Sequence, residues 1–211
     1  FLSLLLVTLL STASFAACTN VVVGKDASTD GSVMTSHTVD GQYDARVKVI
    51  PGQEFEEDAM KTIKHDIRHA GIPGYEVTEV GEIPQVDETY TYFHAGYPFM
   101  NEHQVIIGET TFVGRGELIN DQAMFEIEQL EVLALQRAKT AREAIKVMGR
   151  LAEKYGYCDI GETLTVTDEN EAWVFEIVGP GPLWTQDSDQ PGAVWAARRV
   201  PDGHVTVAAN R

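Results

Sequence analysis

The chain has 211 residues and sets 32 acidic against 16 basic side chains, a formal net charge of −16. Such a surface repels phosphate, which excludes nucleic acid and an anionic membrane face as partners. The 44% hydrophobic content supplies a sizeable core, so wholesale disorder is excluded, and two cysteines are too few for a disulfide-rich scaffold or an all-cysteine zinc site.

Residues 1–17 carry no charge. Leu2, Leu4, Leu5, Leu6, Val7, Leu9 and Leu10 form an apolar run, and Ser11–Ser14 lead into Ala16 and Ala17. That is the hydrophobic region of a signal peptide followed by a small-residue cleavage zone. The chain does not begin with Met and lacks the basic stretch that opens such leaders, so the leader is expected to be clipped. A permanent span needs about 20 apolar residues, so no stable membrane insertion is expected. Residues 18–211 are then the exported part, secreted or otherwise extracytoplasmic.

After Cys18 the pattern predicts strands over Thr19–Gly24, Val33–His37, Ala45–Ile50, Gln104–Thr111, Thr163–Thr167, Ala172–Val178, Ala193–Arg198 and Val205–Ala209. Asp30-Gly31 joins the first two as a hairpin turn would, and Asp40-Gly41 is a second turn dipeptide. From Met124 the period becomes helical: Ile127, Leu130, Leu133 and Leu135 lead a helix ending near Lys139. Thr140 with Glu143 is a capping box that opens a second helix, which stops at Gly156. Glu54–Asp58 and Gln186–Gln190 read as solvated loops. Strands, a helical pair and more strands predict an α+β layered domain. The chain stops at Arg211, two residues beyond a strand-like run, which predicts an incomplete C-terminus.

Cys18 organises the chemistry. If processing removes what precedes it, one residue carries both a thiol and an α-amine. The amine has a reference pKa of about 7.7–8.0 and can take the thiol's proton. The thiolate is the nucleophile, so one residue supplies nucleophile and base. Two other readings stand beside this one: a lipoprotein cysteine that serves only as an anchor, for which Phe15 is an unusual neighbour, and a structural disulfide with Cys158.

Cys18-Thr19-Asn20-Val21-Val22-Val23-Gly24, with the hairpin Ala27-Ser28-Thr29-Asp30-Gly31-Ser32, resembles the start of the cysteine dipeptidases of the N-terminal-nucleophile hydrolases. Tyr97–Val105 with Gly108-Glu109-Thr110-Thr111-Phe112 forms a second matching block. Tyr155–Tyr157, Gly161-Glu162 and Glu171–Glu176 form a third, and Val194–Ala196 with His204–Arg211 a fourth. The resemblance implies a four-layer αββα sandwich, of which this chain would be the N-terminal part. It implies hydrolysis of dipeptides or short peptides through a thioester, without metal or organic cofactor, and relatives include bile-salt hydrolases and penicillin V acylases.

By the same resemblance Cys18 is the nucleophile and Asp40 holds its amine. Asn101 is an oxyanion donor, and Asn210 positions amine and substrate. His37, where many relatives carry Arg, is a substrate-binding candidate. A catalytic arginine of the family would fall beyond Arg211. An exported dipeptidase is thus expected, with acylase activity on other amides or a surface lipoprotein as alternatives, and homo-oligomerisation is left open. His65 and His69, four apart beside Lys61, Lys64 and Arg68, read as a solvated basic helix rather than metal ligands. Gly179-Pro180-Gly181-Pro182 reads as a rigid turn, and no G-x-S-x-G elbow occurs.

Overall fold

Alternation of buried side chains along the strands builds two sheets that share one interior. The computed structural model describes residues 18–112 and 114–210; the leader expected over residues 1–17 lies outside them. The chain runs β1 (Thr19–Val23), β2 (Met34–Thr38), β3 (Lys48–Ile50), β4 (Met60–His65), β5 (Thr78–Pro84), β6 (Tyr92–His94), β7 (Pro98–Asn101) and β8 (Ile106–Thr111). Helices α1 (Ile127–Arg137) and α2 (Ala141–Tyr155) follow, then β9 (Glu162–Thr167), β10 (Ala172–Val178), β11 (Val194–Val200) and β12 (Val205–Ala209). Short 3₁₀ turns lie at Ile67–His69 and Gly116–Leu118.

A small sheet has the order β12-β1-β2, and a seven-stranded sheet the order β11-β10-β9-β8-β7-β6-β3. All pairs are antiparallel. β4 and β5 form a separate ribbon.

β10 shows how the layers stack. Phe175 and Ile177 point into a core with α1 and α2, built around Leu130, Leu133, Leu135, Ala144 and Met148. Ala172 and Val174 point the other way, against Val22 of β1 and Val200 of β11. Strand side chains alternate between faces, so the helices cover one side of the large sheet and the small sheet covers the other. The described residues therefore supply three layers of an α+β fold, and the fourth layer of the expected αββα sandwich is not among them. The outer face of the small sheet exposes Met34, Val205 and Val207.

The predicted hairpin forms: β1 pairs with β2 from Thr19↔Thr38 to Val23↔Met34, and Gly31 takes φ 79° in the turn. At the start of α2, Thr140 Oγ1 accepts from Glu143 N at 3.2 Å. The Glu143 carboxylate reaches back to Lys139 N, one residue before the cap of a standard capping box. Gly156 ends α2 at φ 87°, where an added Cβ would lie 2.6 Å from Ala123 Cβ and from the Trp184 ring.

Four strands, β4 to β7, were not predicted. His65 and Lys64 end strand β4, and His69 follows in a 3₁₀ turn, so no solvated basic helix forms there. His69 stacks between Tyr43 and Tyr75, at 5.6 and 3.9 Å between ring centroids. No helix among the described residues is long and apolar enough to cross a membrane.

Candidate active site

Three chain segments converge on Cys18 because it stands just ahead of the central strand of the small sheet. On one side β12 ends opposite it: Thr19 pairs with Ala209, and Asn210 N donates to Cys18 O at 3.2 Å. On the other side Thr19 pairs with Thr38 of β2, whose Oγ1 accepts from Thr19 N at 3.0 Å, which carries Asp40 to the same end. From the large sheet, Thr110 of β8 donates to Asn210 Oδ1 at 2.6 Å and lies 3.3 Å from Cys18 O. That contact commits the oxygen of the Asn210 amide. Its Nδ2 makes no hydrogen bond among the described residues.

The two sheets meet closely behind this point. Asn20, fully buried on β1, donates to Gly108 O at 2.9 Å. A Cβ at Gly108 would sit 3.0 Å from His37 Cβ and 3.1 Å from Asn20 Oδ1, so the glycine sets how near β8 comes to β1 and β2.

Cys18, Asp40 and Asn210 line one cavity of about 260 Å³, together with Tyr43, Arg68, Tyr97, Glu109, Asp159 and Glu162. Tyr43 and Tyr97 separate it from an apolar cavity of about 570 Å³, walled by Val39, Phe99, Met100, Ile106 and Ile107, with His37 at its edge. A further cavity of about 580 Å³ lies along Val174, Arg198, Val200 and Val205, and neither cysteine lines it.

Electrostatics in the small cavity are dominated by burial. Desolvation, with the charge of Glu109 behind it, raises the Cys18 thiol to about 11, while the backbone N–H of Asp40 works in the opposite direction. The thiol therefore stays protonated at neutral pH until a base removes its proton. Burial also raises the carboxyl of Glu109, but the neighbouring His37 and Glu162 side chains outweigh it and hold Glu109 below the usual glutamate value. Glu162 goes the other way, pushed well up by burial and then by Glu109. The two neighbouring carboxyls are therefore shifted in opposite directions, Glu162 toward its protonated form and Glu109 toward its ionised one.

Asn101 does not belong to this cavity. It is buried on β7, where Nδ2 donates to Leu135 O (2.9 Å) and Ala138 O (2.7 Å), while Oδ1 accepts from His103 N (3.1 Å) and Val105 N (3.0 Å). Its amide ties the C-terminal end of α1 to the β7–β8 turn, which leaves no donor for an oxyanion. His37 lies 3.7 Å from Glu109 through Nε2 and edge-on to the Tyr97 ring.

The cysteines do not pair: both are free thiols, and Cys158 Sγ donates to Phe125 O at 3.2 Å. Burial raises the Cys158 thiol to about 12, which makes it the more inert of the two.

Arg68 is also placed otherwise than its sequence neighbours suggest. It is largely buried, pairs with the buried Glu128 of α1 and reaches the cavity wall. Glu109 and Glu162 were not singled out from sequence as site residues. The available signal was a carboxylate directly after the apolar run Val105–Gly108 and another at the head of a strand whose six residues are all buried.

Against known proteins, the model described as Peptidase family C69 matches residues 17–211. The chain is 29% identical over 208 residues to a "Probable dipeptidase" of Latilactobacillus sakei, covering 92% of this chain and 39% of that protein. It is 27% identical over 203 residues to a "Dipeptidase" of Bifidobacterium longum (strain NCC 2705), covering 88% and 36%. With "Dipeptidase A" of Lactobacillus helveticus it shares 26% over 206 residues, covering 92% and 40%. The chain thus spans about two fifths of the length of these relatives.

Proposed function

The chain belongs to peptidase family C69, and from that premise we propose that it is part of an exported cysteine dipeptidase that hydrolyses short peptides through Cys18. The observation that carries this reading is the meeting of Cys18, Asp40 and Asn210 on one cavity at the head of β1. The names of the relatives support a dipeptide substrate, the uncharged run in residues 1–17 supports export, and the three layers are what an N-terminal part of an αββα sandwich would supply.

In this mechanism the leader is removed ahead of Cys18. The freed α-amine takes the thiol proton, with the Asp40 carboxylate placed to stabilise the ammonium. The Cys18 sulfur attacks the scissile carbonyl, and the proton passes to the leaving amine as the C–N bond breaks. A thioester remains. Water then adds to it, the C–S bond breaks, and the acid product leaves with the thiol restored. Asn210 is the amide donor for the developing oxyanion, since its Nδ2 is uncommitted and Thr110 fixes its oxygen. A thiol held up by burial suits this scheme, because it depends on a neighbouring base instead of ionising unaided.

The lipoprotein alternative fits less well. A diacylated cysteine must reach the bilayer, whereas Cys18 is only 7% exposed. The apolar cavity behind Tyr43 and Tyr97 favours the acylase alternative as the second reading, since it offers room for a non-peptide acyl group.

Two experiments test the proposal. Mass spectrometry of the exported protein should find Cys18 as the first residue, unmodified; a retained residue before it, or a lipid on it, would sink the mechanism. Cys18→Ser should fold and lose most hydrolysis across a panel of dipeptides, bile-salt amides and penicillin V. Preference for either non-peptide amide would move the assignment to the acylase reading.

A further inference from the structure

We propose that Cys18, His37 and Glu109 form a reversible inhibitory site for a borderline-soft divalent cation, Zn²⁺ by chemistry, which occupies the nucleophile and so shuts the enzyme off. The sulfur of Cys18, a ring nitrogen of His37 and a carboxylate oxygen of Glu109 all lie within 4.8 Å of one another. His37 Nε2 and Glu109 Oε1 are 3.7 Å apart.

Tetrahedral zinc holds thiolate sulfur at about 2.3 Å and nitrogen or oxygen at about 2.0–2.2 Å, which sets ligand atoms roughly 3.3–3.7 Å from each other. The His37–Glu109 separation already matches that spacing. The sulfur needs only a small side-chain shift to complete it.

A second, independent observation marks the place. Glu109 is 1% exposed, and both its carboxylate oxygens, as well as His37 Nε2, are buried with no hydrogen-bond partner among the described residues. Buried polar atoms are normally satisfied, and three left open around a thiol are what a cation would satisfy.

The donor set also chooses the ion. Calcium takes six to eight oxygens, and magnesium an octahedron of them, so a site with one carboxylate suits neither. Sulfur, imidazole and carboxylate together suit zinc. Three protein donors leave a fourth position facing the cavity, where water completes the shell. Zinc displaces the thiol proton to solvent and forms the Zn–S bond. While that bond lasts, the sulfur has no free pair aimed at a carbonyl. A chelator removes the ion and returns the thiol.

The inhibitory role rests on the dipeptidase reading, but the binding test needs no substrate, so failure of the zinc site and failure of that reading are told apart. The Zn²⁺ dissociation constant is measured by competition with a chromophoric chelator, for wild type, His37→Gln, Glu109→Gln and Cys18→Ala. One equivalent should bind to wild type, and loss of either His37 or Glu109 should weaken it by at least the roughly 10- to 100-fold seen when metal-site partners are removed. Equal affinity in wild type, His37→Gln and Glu109→Gln would overturn the proposal, since the thiol alone would then hold the ion.

X-ray absorption of zinc-loaded wild type provides a check that does not depend on the variants folding. One sulfur and one imidazole in the zinc shell support the site, and the lack of either refutes it. In the activity assay, micromolar Zn²⁺ should stop dipeptide hydrolysis and a chelator should restore it; persistent activity with zinc bound would refute the inhibitory role.

Discussion

Asn101→Ala separates a structural from a catalytic role at the one residue whose sequence context and position in the fold point in different directions. The wild-type side chain makes four hydrogen bonds, to Leu135 O, Ala138 O, His103 N and Val105 N. A typical intramolecular hydrogen bond contributes about 1 kcal/mol net, so the four sum to about 4 kcal/mol. Water reaching the half-exposed turn at His103 recovers part of this, which leaves an expected loss of about 3 kcal/mol. For a domain stable by about 5–15 kcal/mol that is a large fraction. The assay is urea unfolding alongside turnover per folded molecule. The midpoint should fall sharply, while kcat below the transition stays within a few-fold of wild type. An oxyanion donor would give the opposite pattern, a loss of about 10²–10³ in kcat with an unchanged midpoint, and that result would refute the structural assignment.

Three other outcomes follow from the geometry. Thr110→Val keeps the shape of a buried β8 side chain but removes the 2.6 Å bond to Asn210 Oδ1. Freed to rotate, Asn210 should cost about 0.5–1.5 kcal/mol of transition-state stabilisation, a roughly 2- to 12-fold fall in kcat with little change in KM. An unchanged kcat would remove Asn210 from the mechanism. Gly108→Leu forces a branched side chain between Asn20 and His37, so the small sheet must move from the large one; activity should vanish and thermal stability drop, whereas a stable, active variant would contradict the close packing. Glu131 is fully buried on α1, has no hydrogen-bond partner for either oxygen among the described residues, and is pushed well above the usual glutamate value by burial and then by Glu109. The unfolded group ionises near 4.3, so this site favours folding only below that pH and becomes a cost as pH rises toward the folded value. Glu131→Gln should therefore be more stable than wild type at pH 8 and should lose less stability between pH 5 and pH 8. Parallel pH profiles for the two proteins would show that Glu131 does not take up a proton on folding.

How much was legible depended on whether the cause was local. The β1–β2 hairpin and the start of α2 rest on neighbours a few residues apart, Asp30-Gly31 and Thr140 with Glu143, and both formed where predicted. β4 did not announce itself, because Met60–His65 carries Lys61 and Lys64 and buries only Ile63 fully; it pairs in a two-stranded ribbon outside the sheets, where alternation is weak. β6 and β7 are three and four residues long, too short for a period to show. The site divides along the same line. Cys18 stands out as the boundary between an uncharged stretch and an acidic chain. Glu109 and His37 are 72 positions apart, and their meeting exists only because β8 of one sheet packs against β2 of the other. Asn101 shows the converse: its place in a family-like block suggested chemistry, yet its acceptors at the C-terminal end of α1, Leu135 and the following Ala138, lie 34 and 37 residues away and take up both amide protons. An amide has only two N–H bonds to give, so a residue that anchors a helix end with both of them has none left for a transition state.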